Sequence, residues 1–344
     1  MRFGKALLAI TLTAVIATPA LAARRNIHIV GSSTVYPFST AVGERFARAN
    51  PGIPAPVIES TGTGAGMKLF CGGVGERFPD ITNASRRMKA SEAKSCAANG
   101  VTQVTEIQVG YDGLVLAGSK QSPQLNLTPR DVYMALAATP FGKPNKAKTW
   151  KDVNAKLPAI PIMVYGPPPT SGTRDSLVEL YMTAPCEQNP SMAALKKSDE
   201  NKFKAICGTI RKDGAFVEAG ENDNLIVRKL QGTPNAYGVF GYSFLEENAG
   251  TLQGALINGV APNYATISTF KFPGARVLYI YVKNAHANAI PGIKQFVAEF
   301  SKDSTWGPKG YLVQRGLIAS PNAERTKAAA AARGLAPVAF ATLK

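Results

Sequence analysis

NIHIVGSSTVYPF, residues 26–38, is the stretch that decides the fold, because an apolar run passes through glycine and hydroxyl residues into a second apolar pattern. The first run, Ile27–Val30, predicts a short strand. The second predicts a helix from about Pro37 to Ala49, since its apolar residues recur at helical spacing: Phe38, Ala41, Val42 and Phe46. The stretch therefore predicts a strand, a polar loop and a helix.

The same unit occurs twice more along the chain. Pro56–Ser60 predicts a strand that runs into the sequence TGTGAG at 61–66 and a short helix. Ile160–Tyr165 predicts a third strand, followed by a loop and a helix over Thr173–Thr183. Alternating strands and helices predict an α/β fold with parallel sheets covered by helices. Each loop would lie at the carboxyl end of a strand, where open α/β folds bind ligands.

Two further apolar strands predict how the chain is divided. They are Val109–Ala117 and Val277–Val282, far apart in the sequence. If the chain crosses between lobes near the first and returns before the second, there are two lobes with a cleft between them. The expected boundaries are residues 23–112 plus 256–344 for lobe I and 113–255 for lobe II.

The N-terminus has the pattern of a secretory signal peptide. Arg2 and Lys5 precede an apolar run over 6–17, and Pro-Ala-Leu-Ala at 19–22 resembles a cleavage site. The run is too short to span a bilayer, where about 20 residues are needed. Residues 1–22 are therefore predicted to be removed on export to the periplasm.

The charge balance favours an anionic ligand. The chain carries a formal net charge of +16, which would steer anions toward it. Such a charge also suits a nucleic-acid-binding protein, but export and the lack of basic runs with interleaved aromatic residues argue against nucleic acid.

The cysteines predict disulfides and not a metal site. The chain has four cysteines, no C-x-x-C pair and two histidines. In an oxidising compartment this indicates two disulfides, for which three pairings are possible. Cys71–Cys96 with Cys186–Cys207 closes the shortest loops and is the expected pairing. No metal and no other cofactor is expected.

Three loops rich in serine, threonine and glycine suggest an oxyanion site. They cover 31–34, 61–64 and 170–173, each before a helix. Helix N-termini expose unpaired N–H groups, and hydroxyls add donors. Arg174 follows the last loop and Arg86 follows an Ala-Ser pair; guanidinium groups suit a tetrahedral oxyanion because they donate in a planar fork.

Four segments in this order resemble one protein family. They are VGSSTVYPF at 30–38, STGTGAG at 60–66, DITNASR at 80–86 and PTSGTRD at 169–175, and AYGVFGY at 236–242 is similar to a later family segment. The set resembles the PstS family, the phosphate-binding proteins of the high-affinity phosphate ABC transporter, over essentially the whole mature chain.

The resemblance implies a two-lobed periplasmic-binding-protein fold (type II-like) with the ligand in the interlobe cleft. It implies a monomer that captures inorganic phosphate, delivers it to the permease subunits of an ABC transporter, and is not an enzyme. By the same resemblance the phosphate-binding residues would be Ser33, Thr34, the Val35 N–H, Thr63, Gly64, Ser85, Arg86, Ser171, Gly172, Thr173 and Arg174.

The chain departs from the family in two places. Arg86 stands where well-known members have an aspartate that accepts the phosphate proton. Pro167–Pro169 stands where they have an arginine and an aspartate, so Arg174 would be the guanidinium of lobe II. The proton acceptor stays open, with Asp80 and Asp112 as candidates.

Three other functions are compatible with parts of the pattern. The first is the same fold with another oxyanion, such as sulfate, molybdate or tungstate. The second is a secreted phosphatase, which would need a nucleophile with a base or a metal; His28 in a strand and His286 in a polar loop are expected to be packed and solvated, respectively. The third, an adhesin, is suggested by basicity and export alone.

Overall fold

The computed structural model describes residues 24–343, so the predicted signal peptide lies outside the described residues. Its strands, numbered in chain order, are β1 His28–Gly31, β2 Val57–Ile58, β3 Ile81–Ala84, β4 Val104–Ser119, β5 Asn126–Leu127, β6 Val164–Gly166, β7 Phe216–Glu218, β8 Tyr237–Gly241, β9 Leu252–Gly254, β10 Leu256–Ile257 and β11 Ala275–Lys283.

The α-helices are α1 Tyr36–Ala49, α2 Thr63–Phe70, α3 Ala90–Ala98, α4 Pro129–Leu136, α5 Trp150–Val153, α6 Gly172–Leu177, α7 Ala184–Glu187, α8 Pro190–Ser198, α9 Glu200–Gly208, α10 Asp223–Gly232, α11 Tyr242–Glu247, α12 Tyr264–Ser268, α13 Ile293–Phe300, α14 Asp303–Trp306 and α15 Asn322–Gly334. A π-helical segment, Val178–Thr183, joins α6 to α7, so the chain is helical from Gly172 to Glu187. The predicted helix over Thr173–Thr183 is therefore present and longer.

Lobe I is built on a sheet in the order β2-β1-β3-β11-β4. β1 pairs in parallel with β2 and β3, whereas β11 is antiparallel to β3 and β4. The carboxyl ends of β1, β2 and β3 therefore lie at one edge of the sheet. Helix α13 covers the sheet because its apolar residues recur at 3.6-residue spacing, and all four are buried: Ile293, Phe296, Val297 and Phe300.

Lobe II is built on the order β4-β8-β6-β7, with β9 also paired to β4. β6 is parallel to both β7 and β8, so these three strands also end at one edge. A separate core lies beneath this sheet, with Trp150, Tyr133 and Phe240 among its buried side chains. The predicted alternation of strands and helices is thus present in both lobes. In each lobe, the carboxyl ends of the parallel strands lie together at one edge of the sheet.

β4 is shared by the two lobes. It pairs with β11 over Val104–Gly113 and with β8 from Leu114 onward. The return crossing lies beside it, where the N–H of Leu114 donates to the carbonyl of Gly274 (2.7 Å) just before β11. From the π-helical segment, the hydroxyl of Tyr181 donates to the carbonyl of Leu114 (3.2 Å). Two adjacent strand crossings therefore connect the lobes.

The predicted second boundary, at residue 256, needs correction. β10 pairs with β5 of lobe II, and Ile257, Ile267 and Phe272 are buried in the core of lobe II. These contacts place residues 256–274 in lobe II, and the chain re-enters lobe I at Ala275. The apolar pattern that begins at Val277 predicts a strand, but it does not indicate to which lobe residues 256–274 belong.

Both predicted disulfides, Cys71–Cys96 and Cys186–Cys207, are present, one in each lobe. In residues 24–343 no helix combines the length and the apolar character needed to cross a membrane.

Candidate functional site

Three helix starts meet between the lobes. α1 and α2 begin at the carboxyl edge of lobe I, and α6 begins at that of lobe II with Ser171 as its N-cap, whose hydroxyl accepts from the Thr173 N–H (3.1 Å). Because each start directs N–H groups and a partial positive charge into the cleft, the three together favour an anion.

Hydroxyl groups from both lobes are within hydrogen-bond distance of each other. Oγ1 of Thr34, in lobe I, lies 3.0 Å from Oγ1 of Thr173, in lobe II. Within lobe I, Oγ1 of Thr63 lies 3.3 Å from Oγ of Ser85. The Gly64 N–H donates to a lobe II carbonyl (3.2 Å), that of Thr170. All four hydroxyl groups are buried, so they form one polar cluster enclosed by the two lobes.

A buried arginine that the sequence did not reveal lies at the base of this cluster. The Nη2 of Arg276 donates to Oγ1 of Thr34 (2.9 Å) and Oγ1 of Thr173 (3.3 Å), and Nη1 donates to Oγ of Ser176 (3.2 Å). Its Nε and Nη2 also donate to Oδ2 of Asp112 (2.9 and 2.7 Å). One guanidinium group on the strand crossing thus contacts both lobes.

Two buried carboxylates flank the guanidinium group. Asp112 accepts from Arg276 and, through Oδ1, from the N–H of Tyr242 (2.8 Å); its burial raises its pKa, and Arg276 opposes the rise. Asp223 opens α10 and makes only long contacts, from Ser33 Oγ (3.5 Å) and the Gly241 N–H (3.4 Å). Burial raises the pKa of Asp223 to about 7, despite the opposing charge of Arg276.

All six of the predicted hydroxyl residues lie in this cluster or beside it. These are Ser33, Thr34, Thr63, Ser85, Ser171 and Thr173, all buried. Gly172 packs so closely that a Cβ atom there would overlap the hydroxyls of Thr63 and Ser85. The Val35 N–H, a predicted donor, points to Ser32 Oγ (3.4 Å). The Gly64 N–H lies between the lobes and is bonded to Thr170, as described above.

The prediction that Arg86 contacts the anion needs correction. Its Nε donates to Oδ2 of Asp175 (2.7 Å), and its two terminal nitrogens donate to the carboxylate of Glu92 (2.9 and 2.7 Å). Nη1 also donates to the carbonyl of Arg87 (3.1 Å). The two carboxylates bind all three nitrogens of the guanidinium group, so none is directed at an anion in the cleft. Burial would lower the pKa of Arg86, but the two carboxylates raise it.

The prediction for Arg174 also needs correction. Its guanidinium carbon lies 4.6 Å from the centre of the Phe216 ring, and Nη1 donates to the Pro167 carbonyl (3.1 Å). Glu218 is 3.7 Å away. Successive helical residues point about 100° apart. Arg174 therefore faces β7 of its own lobe, while its neighbour Thr173 faces the cleft.

Asp80, one of the two predicted proton acceptors, is not in the cleft. It precedes β3, whereas the cleft residue Ser85 follows it, so the length of a strand separates them. Its oxygens accept from Arg24 (2.8 Å to each), His286 Nδ1 (2.7 Å) and the His28 N–H (2.7 Å). Burial would raise the pKa of Asp80, but the hydrogen bonds from His286 and Arg24 hold it below its usual range.

The same contacts correct the expectation for His286. Its ring is buried and not solvated, and its Nε2 accepts from the Gly75 N–H (2.9 Å) while Nδ1 faces Asp80. His28 is partly exposed and lies 3.3 Å from Glu59. Neither histidine is near the hydroxyl cluster.

The missed residues had only weak signals in the sequence. Arg276 directly precedes one of the two apolar strands that were expected to mark the crossings between the lobes, and Asp112, itself a candidate acceptor, lies within the other. Charges in such strands are costly unless paired, which could have suggested their contact. Asp223 follows Asn222 at a helix start, where an acidic residue is common, so no signal distinguished it.

The arrangement can bind a small tetrahedral oxyanion. Hydroxyls, helix N-termini and one guanidinium supply donors, and Asp223 supplies an acceptor with few partners. In residues 24–343 no group of three or more histidine, cysteine or acidic side chains is arranged to hold a metal ion.

Comparison with known proteins agrees with the fold. The PBP superfamily domain matches residues 17–304. Protein SphX of Synechococcus elongatus is 33% identical over 275 residues, covering 78% of this chain and 70% of SphX. The phosphate-binding protein PstS of Staphylococcus saprophyticus is 27% identical over 303 residues, covering 86% and 81%.

Solved structures give the same result. A possible phosphate-binding protein from Planctomyces limnophilus is 27% identical with a TM-score of 0.56, covering 89% of this chain and 98% of that one. A putative phosphate ABC transporter substrate-binding protein from Clostridium perfringens, with bound phosphate, shares the fold at 21% identity and a TM-score of 0.62, covering 86% and 100%. The chain therefore belongs to the PBP superfamily and, within it, to the PstS family.

Proposed function

We propose that this protein binds inorganic phosphate between its lobes in the periplasm and delivers it to the permease subunits of an ABC importer, without catalysing a reaction. The relatives named as phosphate-binding proteins support the ligand, and the predicted signal peptide supports the compartment. The protein would act as a monomer.

One observation carries the proposal: three helix starts from two lobes meet at one buried polar cluster, and the guanidinium group of Arg276 contacts two of them, those of α1 and α6. Removing this guanidinium from water is costly, and Asp112 offsets only part of the cost. A bound dianion would supply further negative charge at Arg276, and the hydroxyls of Thr34 and Thr173 would donate to it. Because these two threonines belong to different lobes, the anion would hold the lobes together.

A carboxylate acceptor would decide between phosphate and sulfate. Hydroxyls, N–H groups and guanidinium are donors, and donors alone would accept either dianion. Hydrogen phosphate carries a proton that sulfate lacks, so a buried carboxylate would bond the first and repel the second. Both oxygens of Asp112 are already bonded to Arg276 and Tyr242. We therefore propose Asp223, whose contacts are long, as the acceptor.

Calorimetric titration of the mature protein with phosphate, arsenate, sulfate and molybdate at about pH 8, above the pKa of about 7 for Asp223, tests the function. Phosphate should bind at least about 100-fold more tightly than sulfate, since one unpaired buried charge costs a few kcal/mol. Equal competition by sulfate would contradict the phosphate assignment.

The Asp223→Asn variant tests the acceptor. It should lose most of the preference for phosphate, because an amide neither repels sulfate nor accepts as strongly as a carboxylate. Asp213→Asn, which alters an exposed carboxylate of lobe II, should retain the preference. Unchanged selectivity in Asp223→Asn would contradict the role of Asp223 and leave the function intact.

The remaining parts of the proposal have direct tests. Cell fractionation should recover the protein, cleaved near residue 22, in the periplasm. Native mass spectrometry should find one copy per particle. Incubation with p-nitrophenyl phosphate should release no more phosphate than buffer alone; release that follows protein concentration would support the hydrolase alternative.

A further inference from the structure

The ion pairs between the lobes are concentrated at one residue. Of the ion pairs within residues 24–343, both that join lobe I to lobe II end on Asp175 of α6. Its Oδ2 accepts from Arg86 Nε (2.7 Å) and from Lys89 Nζ (3.3 Å). Two cations of one lobe thus hold a single carboxylate of the other.

From these contacts we infer that Arg86, Lys89 and Asp175 form a latch that stabilises the closed arrangement of the lobes and so sets how slowly the ligand leaves. This inference rests on the proposed phosphate binding. In it, Arg86 acts on affinity through closure and does not touch the anion.

The latch is built to keep Arg86 in place. Its two terminal nitrogens are bound by Glu92 within lobe I, which leaves Nε directed at Asp175. Because Glu92 belongs to the same lobe as Arg86, their contact does not depend on closure and should keep the guanidinium group oriented when the lobes separate. Little side-chain entropy is lost when the lobes close, so more of the attraction contributes to closure.

The position of Asp175 links the latch to the site. It lies one helical turn after Gly172, whose backbone packs on Thr63 and Ser85 across the cleft. A contact that draws Asp175 toward lobe I therefore presses the start of α6 onto the hydroxyl cluster. Opening the cleft would separate Asp175 from both Arg86 and Lys89. The two ion pairs therefore stabilise only the closed state.

The latch is accessible to salt. It borders a surface cavity of about 370 Å³ lined by all three latch residues, and the Asp175 side chain is 27% exposed. Mobile ions would therefore screen the attraction. Ligand affinity should fall with rising salt more steeply in the wild type than in a variant without the latch.

Asp175→Asn tests the latch while leaving Arg86 paired with Glu92. Phosphate dissociation, followed by stopped flow, should be about tenfold faster, with the association rate within about twofold. Asp213→Asn, which removes an ion pair internal to lobe II, should change neither rate. If Arg86 were instead a ligand of the anion, freeing it from Asp175 would leave affinity unchanged or raise it, and that result would overturn the latch.

A second measurement needs no ligand and so separates the latch from the phosphate assignment. Asp175→Arg places a third cation against Arg86 and Lys89, and small-angle X-ray scattering of the ligand-free protein should give a larger radius of gyration than the wild type. A variant as compact as the wild type would overturn the latch, whether or not phosphate binds. Failure of the wild type to bind phosphate, with the expected expansion present, would overturn the ligand alone.

Discussion

At the scale of single residues, Arg276 is expected to be the guanidinium on which anion binding depends. Arg276→Lys keeps the charge but cannot donate to Thr34, Thr173 and Asp112 together, since an ammonium lacks the planar fork. Phosphate affinity in calorimetry should fall by about 30-fold or more.

The matched control is Arg174→Lys, because Arg174 packs on Phe216 and faces away from the cleft. Its affinity should stay within about threefold of the wild type. Thermal melts of both variants would show that each is folded. An equal loss in the two variants, or a loss confined to Arg174→Lys, would contradict the placement of the site.

Asp223 should make stability depend on pH. Its pKa in the folded state is raised to about 7, whereas that of a solvated aspartate is near 4. The folded protein therefore holds a proton that the unfolded chain releases between these values, and stability is lost as pH rises from about 4 through about 7.

Asp223→Asn removes this dependence. Ligand-free chemical denaturation should find the variant more stable than the wild type at pH 8, by at least about 1 kcal/mol, with the gain shrinking toward pH 4. A gain that grows as pH falls would show that the carboxylate is stabilising when ionised, contrary to its buried, weakly bonded position.

The sequence predicted residue types better than side-chain directions. The hydroxyl loops were identified because strand, loop and helix follow each other in a readable order. Arg86 and Arg174 were assigned to the anion because they stand next to those loops, but adjacency does not determine where a long side chain points. Arg276 and Asp112 are 164 positions apart in the sequence, and only the folded sheet brings them together.

At the scale of elements, the start of α6 is the part of the cleft that tolerates least change. Gly172→Ala would add a Cβ atom that overlaps the hydroxyls of Thr63 and Ser85 when the lobes close. Each lobe would still fold, because the overlap lies between them. Phosphate affinity should fall by about 100-fold with little change in the ligand-free melting temperature, measured by calorimetry and circular dichroism.

Gly232→Ala is the control for this change. Gly232 ends α10 in the same lobe, and a Cβ atom there would meet open space. Its affinity should equal that of the wild type. If Gly172→Ala bound normally, the close approach of α6 to lobe I would not be part of the bound state.

The elements also show what periodicity can and cannot predict. α1 was predicted nearly to its ends because one apolar face recurs at helical spacing over 14 residues. The predicted strand Ile160–Tyr165 is shorter, as β6 begins only at Val164. Pro161 lies among its first residues and Pro158 lies just before it. A proline lacks the backbone N–H group that would donate to the neighbouring strand. The π-helical segment had no sequence signal.

At the scale of the whole molecule, the disulfides lie far from the cleft, although they are joined to it by helices. Cys71 caps the end of α2, whose first residue is Thr63, and Cys186 lies near the end of the helical stretch that begins at Gly172. At 1.5 Å per residue these helices separate the bridges from the cluster by about 12 and about 21 Å. The bridges should therefore support the lobes without affecting binding.

Replacing each pair of bridged cysteines by alanine tests this separation. The bridges span 25 and 21 residues, so each pair removed should lower the free energy of unfolding by about 3 kcal/mol and the melting temperature by about 5–10 °C. Phosphate affinity at 25 °C should remain within about twofold of the wild type, because the strands that carry Arg276 and Asp112 are held by both cores and by neither bridge. Loss of binding in a variant that is still folded at about 25 °C would show that a bridge positions the site.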